Sequence, residues 1–359
     1  MLATALGALL LPLAALALPF GAGESATNTI TRNHEPESLP LVIWHGMGDS
    51  HSSPGMLKFG ELIQKIHPRI FIHSVYIEEK ASEDQKAGFF GDLEEQLEVV
   101  SEQLRGIPEL QDGFDAIGFS QGGQFMRAYV EWYNDPPVHN LITFGSQHMG
   151  VAGMPPCRAF DVICLMARAA ANRGVYTEWA QKNLIQAQYY RDPARLEQFL
   201  EYNRFLTRLN GEVPETRNAT YARNLASLSN LVLVMFSEDD MVIPKESSWF
   251  GSYTPVEDPE MISDSQGASV NIMGAGGIPR EIVPMRMQPM YVEDWVGLRE
   301  LDERGGVSME ICEQRHMHLP PECWEGLVKR FVGGGWGSDD RKAGSALREE
   351  AKKFAVQAK

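Results

Sequence analysis

From about residue 39 onward, short apolar runs alternate with amphipathic stretches, and this alternation constrains the fold more than any other feature of the chain. A short, continuous apolar run suits a strand buried on both faces, and the amphipathic stretch between two runs suits a helix that crosses over and covers the sheet. The expected fold class is therefore α/β, a mostly parallel sheet flanked by helices. Residues 39–44 (LPLVIW) read as a first strand ending in the turn His45-Gly46-Met47-Gly48-Asp49, and residues 69–77 (RIFIHSVYI) as a second. Leu93, Leu97, Val100 and Leu104 recur at helical spacing, which predicts a helix with its apolar stripe against the sheet. Residues 114–118 then read as a strand, Gln121 to Trp132 as a helix, and 141–145 (LITFG) and 231–236 (LVLVMF) as two further strands.

Between those last two strands, residues of about 150–228 are mostly helical, polar and aromatic, and are expected to form a helical cap inserted into the sheet. Residues 252–288, rich in Gly, Pro, Ser and Met, read as an irregular loop. A last amphipathic helix begins near Glu322, and residues 333–359 read as a charged tail. The folded domain is expected over 38–332.

Lys and Arg number 32 against 48 Asp and Glu, a net charge of -16, which argues against nucleic acid or an anionic membrane held by bulk electrostatics. The uncharged apolar run that opens the chain predicts a signal peptide over 1–22, and no later segment is long and apolar enough to span a bilayer. In an oxidising lumen, Cys157 with Cys164 and Cys312 with Cys323 are close enough in sequence to pair locally. The sequon Asn218-Ala219-Thr220 makes Asn218 a glycosylation acceptor in the same setting. Neither CxxC nor HExxH occurs, and no metal or other cofactor is expected.

Gly118-Phe119-Ser120-Gln121-Gly122 satisfies G-x-S-x-G between a predicted strand and a predicted helix. In that context the serine sits on a tight turn with its hydroxyl exposed at the sheet edge, so Ser120 is the candidate nucleophile. A serine hydroxyl needs a base to take its proton and an acid to orient the base. In the chain order nucleophile, acid, base, the acid candidates are Glu238, Asp239 and Asp240 after LVLVMFS, and the base candidates are His316 and His318 before the last helix. Two backbone N–H groups must face the oxyanion, and those of Gln121, after the nucleophile, and Met47, in the first glycine-rich turn, are suitably placed.

The segments VIWHGMGDS, GFSQGGQFMRAY, LITFGSQHMGVAGMPPC, NLIQAQYYRDP, DDMVIPKESSWFG and VGLRELDERGG resemble successive blocks of the lysosomal palmitoyl-protein thioesterase family over residues of about 40–332. The resemblance implies an α/β-hydrolase with a helical insertion that removes long fatty acyl groups from cysteines during lysosomal protein turnover. It implies S-palmitoylated proteins or peptides and fatty acyl thioesters as partners, no cofactor, and a lysosome or vacuole reached through the secretory pathway. Carried over by position, the nucleophile falls on Ser120, the acid on Asp239 with Asp240 beside it, and the base on His316 with His318 nearby. The pair Cys157 and Cys164 matches a family disulfide with one residue fewer between the cysteines. The sequence departs from the family pattern in a longer loop at 252–288 and one extra residue between His316 and Trp324. A lipase or carboxylesterase on the same fold is the alternative reading.

Overall fold

In Leu41–Trp44 (β1), neighbouring side chains enter opposite cores: Leu41 and Ile43 pack beneath one face of the sheet, Val42 and Trp44 beneath the other. Successive side chains of a strand point to opposite faces, so a strand covered on both sides shows an unbroken apolar run in sequence. The structure, a computed structural model, describes residues 38–153, 174–255 and 281–334.

In chain order, β1 is followed by α1 (Pro54–Ile66), β2 (Ile72–Ser74), α2 (Ala81–Ala87), α3 (Leu93–Arg105), β3 (Phe114–Phe119), α4 (Gln121–Trp132) and β4 (Val138–Phe144). Among the described residues, five short helices come next: α5 (Glu178–Asn183), α6 (Ile185–Gln188), α7 (Leu196–Tyr202), α8 (Phe205–Leu209) and α9 (Ala219–Ser227). The chain then forms β5 (Asn230–Phe236), β6 (Ser252–Tyr253), β7 (Ile282–Val283), α10 (Pro289–Val292), α11 (Leu298–Glu303), β8 (Val307–Cys312) and α12 (Pro321–Phe331).

Six strands form a parallel sheet in the order β2-β1-β3-β4-β5-β8. One face is covered by α1 and α12 through Met56, Phe59, Ile63, Trp324, Val328 and Phe331. The other is covered by α3, α4 and the helices between β4 and β5. This is the α/β-hydrolase architecture. Among the described residues, no helix is long and apolar enough to cross a membrane.

Local signals set several boundaries. Ser53 caps α1 by accepting from the Met56 N–H, and Pro54, which has no N–H to leave unpaired, opens the helix. The stripe predicted in α3 is buried at Leu93, Leu97, Val100 and Leu104.

Two expectations need correction, and one strand, β8, was not anticipated. The second strand is confined to Ile72–Ser74, the residues that pair with Leu41–Ile43 of β1. The edge strand β8 has no continuous apolar run: in VSMEIC, Ser308 and Cys312 are buried while Ile311 is exposed, so apolarity does not mark it. The stretch 252–288 is not irregular throughout, since Ser252 and Tyr253 pair antiparallel with Val283 and Ile282. The signal peptide expected over 1–22, Cys157 with Cys164, and most of the tail expected over 333–359 lie outside the described residues.

At the start of β3, Asp115 is buried; its carboxylate accepts from Asn140 Nδ2 at 2.8 Å and from the Gly333 N–H at 2.8 Å. Burial outweighs these bonds and pushes the carboxyl up to about 7. A native carboxyl titrating above its ordinary value holds a proton that the unfolded chain releases, so its stabilisation is complete at acid pH and lost as pH rises toward 7. Asp115→Asn is expected to flatten this dependence, removing up to about 1.4 kcal/mol of slope per pH unit between about pH 4 and 7. Urea unfolding of both proteins across that range is the measurement.

Candidate active site

Ser120 stands between β3 and α4 in a conformation that side-chain-bearing residues rarely adopt, with φ 51° and ψ -121°. Such geometry costs of order 1–3 kcal/mol and persists only when the surroundings hold it. Here the Ser120 N–H donates to Phe144 O at 2.8 Å and its carbonyl accepts from the Gly123 N–H at 3.1 Å. The flanking glycines allow the necessary approach: a Cβ on Gly118 would lie 2.5 Å from Gly123 N, and one on Gly122 would lie 2.5 Å from Trp44 O and closer still to His45 O. The G-x-S-x-G pattern is thus the packing requirement of α4 against the ends of β1 and β3.

The Ser120 hydroxyl is 3.0 Å from His316 Nε2, and His316 Nδ1 is 2.7 Å from Asp239 Oδ2. A carboxylate only accepts, so Nδ1 carries the hydrogen and Nε2 is left as an acceptor facing the serine. The Asp239 side chain is fully buried, and its Oδ1 accepts from the Met241 and Val242 N–H groups, each at 2.9 Å. These bonds fix the carboxylate that orients the imidazole.

The base loop is tied at both ends. A Cys312–Cys323 disulfide joins the end of β8 to the first turn of α12 and encloses His316. The turn carrying Asp239 is bonded to the same loop through Ser237 N–H to Cys312 O at 2.9 Å and Glu238 N–H to Gln314 O at 3.1 Å. The other candidates do not join: Glu238 and Asp240 are exposed, and His318 is exposed and bonded to Gln314 Oε1 at 2.6 Å.

The turn carrying Met47 lies against the nucleophile, since a Cβ on Gly46 would be 3.3 Å from Ser120 Cβ. Gln121 opens α4, where the first N–H groups have no intrahelical partner. Its side chain is held on both sides, donating to Gly88 O at 3.0 Å and accepting from the Tyr189 hydroxyl at 3.1 Å.

Sequence reasoning missed the group that braces this turn. Asp84 is fully buried; Oδ2 contacts His45 Nε2 at 3.1 Å and His51 Nδ1 at 2.9 Å, and Oδ1 accepts from the Ile77 N–H at 2.8 Å. Burial opposes its ionisation, but the bonds from His45 and His51 prevail and hold the carboxyl well below its ordinary range. Burial likewise opposes charge on His45, yet its bond to Asp84 carries the imidazole above its ordinary value. In sequence, Asp84 sits in the charged segment SEDQK of α2, where nothing distinguishes it from a solvated residue.

Ser120 and His316 open onto a cavity of about 580 Å³. Its lining includes Met56, Phe59, Leu62, Met317, Leu319 and Trp324, together with Phe89, Gln147, Val151, Gln186 and Tyr189. The volume falls within the range of small-ligand sites, and the walls are predominantly apolar. Asn218 is remote in sequence from these elements, exposed, and caps α9 by accepting from the Thr220 N–H at 2.8 Å. Among the described residues, no group of three or more His, Cys, Asp or Glu side chains is arranged to hold a metal.

A family model described as palmitoyl protein thioesterase matches residues 40–316. Palmitoyl-protein thioesterase 1 of Caenorhabditis elegans is 35% identical over 296 residues, covering 82% of this chain and 92% of that protein. Palmitoyl-protein thioesterase 3 of Dictyostelium discoideum is 33% identical over 283 residues, covering 79% and 86%. Human lysosomal thioesterase PPT2 is 25% identical over 282 residues, covering 76% and 80%.

The close packing at the nucleophile turn gives a paired stability test. Gly122→Ala, which forces a Cβ into the β1 backbone, is expected to destabilise the protein by more than about 2 kcal/mol. Gly60→Ala, in α1 with nothing within 4 Å of the added carbon, is expected to stabilise it by up to about 1 kcal/mol. Denaturant unfolding of the two variants beside the parent measures both.

Proposed function

The chain belongs to the palmitoyl protein thioesterase family, and from that membership we propose that it removes long-chain fatty acyl groups from the cysteines of S-palmitoylated proteins or peptides. The observation that carries this reading is the Ser120–His316–Asp239 hydrogen-bonded chain opening onto a largely apolar cavity. Ser120 is the nucleophile, His316 the base and Asp239 the acid that orients it.

In the first half-reaction, Ser120 Oγ attacks the thioester carbonyl carbon as His316 Nε2 takes its proton. The carbonyl oxygen becomes an oxyanion and accepts from the backbone N–H groups of Met47 and Gln121. Collapse breaks the carbon–sulfur bond, and the cysteine sulfur leaves with the proton from His316, giving an acyl-Ser120 ester. In the second half-reaction, water attacks that ester as His316 takes one of its protons. The fatty acid leaves, and the proton returns to Ser120.

The acyl chain is held by the apolar cavity wall, each buried CH₂ contributing about 0.8 kcal/mol. The helical stretch between β4 and β5 serves as the cap over a catalytic domain spanning 38–332. The working compartment is the lysosome or vacuole, reached with residues 1–22 as signal peptide and Asn218 as glycosylation acceptor. This placement is supported by the similarity to the human lysosomal thioesterase and by the Cys312–Cys323 disulfide, a bond typical of oxidising compartments.

Ser120→Ala is expected to fold normally and to lose on the order of 10⁴-fold or more in kcat, because the alternative nucleophile is unactivated water. Asp239→Asn and His316→Ala are expected to be deeply impaired, with Asp240→Asn and His318→Ala close to the parent. Turnover of a palmitoyl thioester by the five purified variants checks this, and strong loss at the two outer positions instead would overturn the assignment.

Substrate choice provides the second test and separates a thioesterase from a lipase or carboxylesterase on the same fold. The value of kcat/KM is expected to rise with acyl length by at most roughly fourfold per CH₂ until the cavity is full. A thiol, with a pKa of about 8.5, leaves more readily than an alkoxide, so a palmitoyl thioester should be cleaved faster than the matching oxygen ester. Rates on palmitoyl thioester, butyryl thioester and palmitoyl oxygen ester decide it. Preference for the short or the oxygen substrate would assign the protein to the esterases.

A further inference from the structure

His45, directly after β1, is 4% exposed and takes no part in the bond making and breaking described above, yet both of its ring nitrogens are engaged. Nδ1 lies 3.0 Å from the Gly46 carbonyl oxygen, and Nε2 lies 3.1 Å from Asp84 Oδ2.

Neither partner can donate. A backbone carbonyl only accepts. Asp84 is ionised despite its burial, because donors converge on both oxygens: besides His45, the Ile77 N–H reaches Oδ1 at 2.8 Å, and the His51 N–H and Nδ1 each reach Oδ2 at 2.9 Å. A carboxylate, too, only accepts. Both ring nitrogens of His45 therefore carry hydrogens, and the ring is an imidazolium. His51 differs, since its bond to Asp84 needs a hydrogen on Nδ1 alone. A buried imidazolium against a buried carboxylate is a paired charge, the condition under which both can be buried. Burial alone favours the neutral ring, but the bonds to Asp84 and to the Gly46 carbonyl outweigh it and hold the imidazole above its ordinary value.

The Nδ1 bond has a geometric consequence. The Gly46 carbonyl and the Met47 N–H belong to one planar trans peptide, so they point in opposite directions, and fixing one fixes the other. The Asp49 N–H also donates to this carbonyl, at a longer 3.3 Å, and Gln85 Nε2 holds the far side of the turn through Gly48 O at 2.6 Å. Of the two ring hydrogens, one faces a carboxylate and the other a neutral carbonyl. The charge-assisted bond is the stronger, so a neutral His45 keeps its hydrogen on Nε2 and loses the bond to Gly46. The Nδ1 lone pair then faces the carbonyl oxygen, and the peptide plane loses this anchor.

The titratable groups around His45 are Asp84 from α2, Asp49 and His51 from its own loop and, beyond His51, Tyr76 and His73 from the β2 segment. Both aspartates favour the imidazolium, and a charge on His51 opposes it. The start of α4 meets the His45 carbonyl through Gly122, which brings no charge.

We propose that His45 acts as an imidazolium that positions the Met47 N–H for the oxyanion, through the peptide joining Gly46 and Met47. This rests on the thioesterase reading above, which makes Met47 an oxyanion donor. His45 is not among the residues that line the cavity, so it is a positioning residue.

Two substitutions in the full-length enzyme separate the ring nitrogens. Asparagine sets its amide nitrogen near the place of Nδ1 and glutamine near that of Nε2, so His45→Asn can keep a donor to Gly46 and His45→Gln a donor to Asp84, neither with a titrating charge. His45→Gln is expected to lower kcat on a palmitoyl thioester about tenfold with KM within about twofold, less than the 10²–10³-fold, in order of magnitude, of a deleted oxyanion donor. His45→Asn is expected to keep most of the parental kcat. The parental rate is expected to fall as pH rises well above the ordinary histidine value of about 6.5, and His45→Asn to lack that alkaline loss.

Two further measurements are independent of turnover. A long-chain trifluoromethyl ketone adds to Ser120 and places an oxyanion in the hole, whereas the matching secondary alcohol only fills the cavity. His45→Gln is expected to bind the ketone about tenfold more weakly and the alcohol as the parent does. Ring-nitrogen NMR shifts of His45, assigned by their loss in His45→Asn, are expected to show both nitrogens protonated in the parent at about pH 6.5, where an ordinary histidine is half neutral.

A neutral ring at that pH overturns the charge on His45. Equal kcat losses in the two variants, or equal weakening of ketone and alcohol, overturn the positioning role, since a general disturbance of the fold affects both alike. A parent that cleaves no thioester overturns the thioesterase reading alone; the ring NMR and the ketone-to-alcohol ratio need only Ser120 and its surroundings and still decide this inference.

Discussion

The structure depends on how closely the start of α4 approaches the ends of β1 and β3. Only residues without a side chain allow that approach: a Cβ at Gly118 would meet Gly123, and one at Gly122 would meet the carbonyls of Trp44 and His45. The same contact forces Ser120 to φ 51° and presents its hydroxyl at the sheet edge. It also places the turn after β1 beside the nucleophile. Fold and chemistry meet in one packing constraint, which is why the strain at Ser120 is retained.

Around that turn, three separate segments are held in register by buried polar bonds. Asp84 of α2 braces the turn after β1 through His45 and also binds the Ile77 N–H after β2. Asp239 braces the base through His316 while its second oxygen closes its own turn. In each case, hydrogen bonds offset the cost of burying a carboxylate. Several donors converge on each carboxylate, so each network favours a single arrangement.

The disulfide completes this by a covalent route. His316 lies on a loop between an edge strand and the last helix, where few neighbours restrain it, and Cys312–Cys323 joins the two ends of that loop. The insertion between β4 and β5 acts differently, supplying Gln186 and Tyr189 to a cavity that residues of α1 and α12 also line.

The strands of the buried sheet, the α3 stripe and the serine turn were legible in the sequence because each obeys a local rule: an apolar run, a helical period, or small residues flanking a tight turn. The residues alone left Glu238, Asp239 and Asp240 open as acids and His316 and His318 as bases, since loop residues have no period and a neighbour's side chain can point anywhere. Resemblance to a family favoured Asp239 and His316; tertiary structure brought that pair to Ser120 and left the others in solvent. Strand β8 escaped notice because an edge strand needs no continuous apolar run. Asp84 could not be read at all, because burial of a polar side chain depends on residues distant in sequence. The local pattern of the chain determined the fold and the nucleophile, whereas the partners of the nucleophile were decided only when the loops at the strand ends converged.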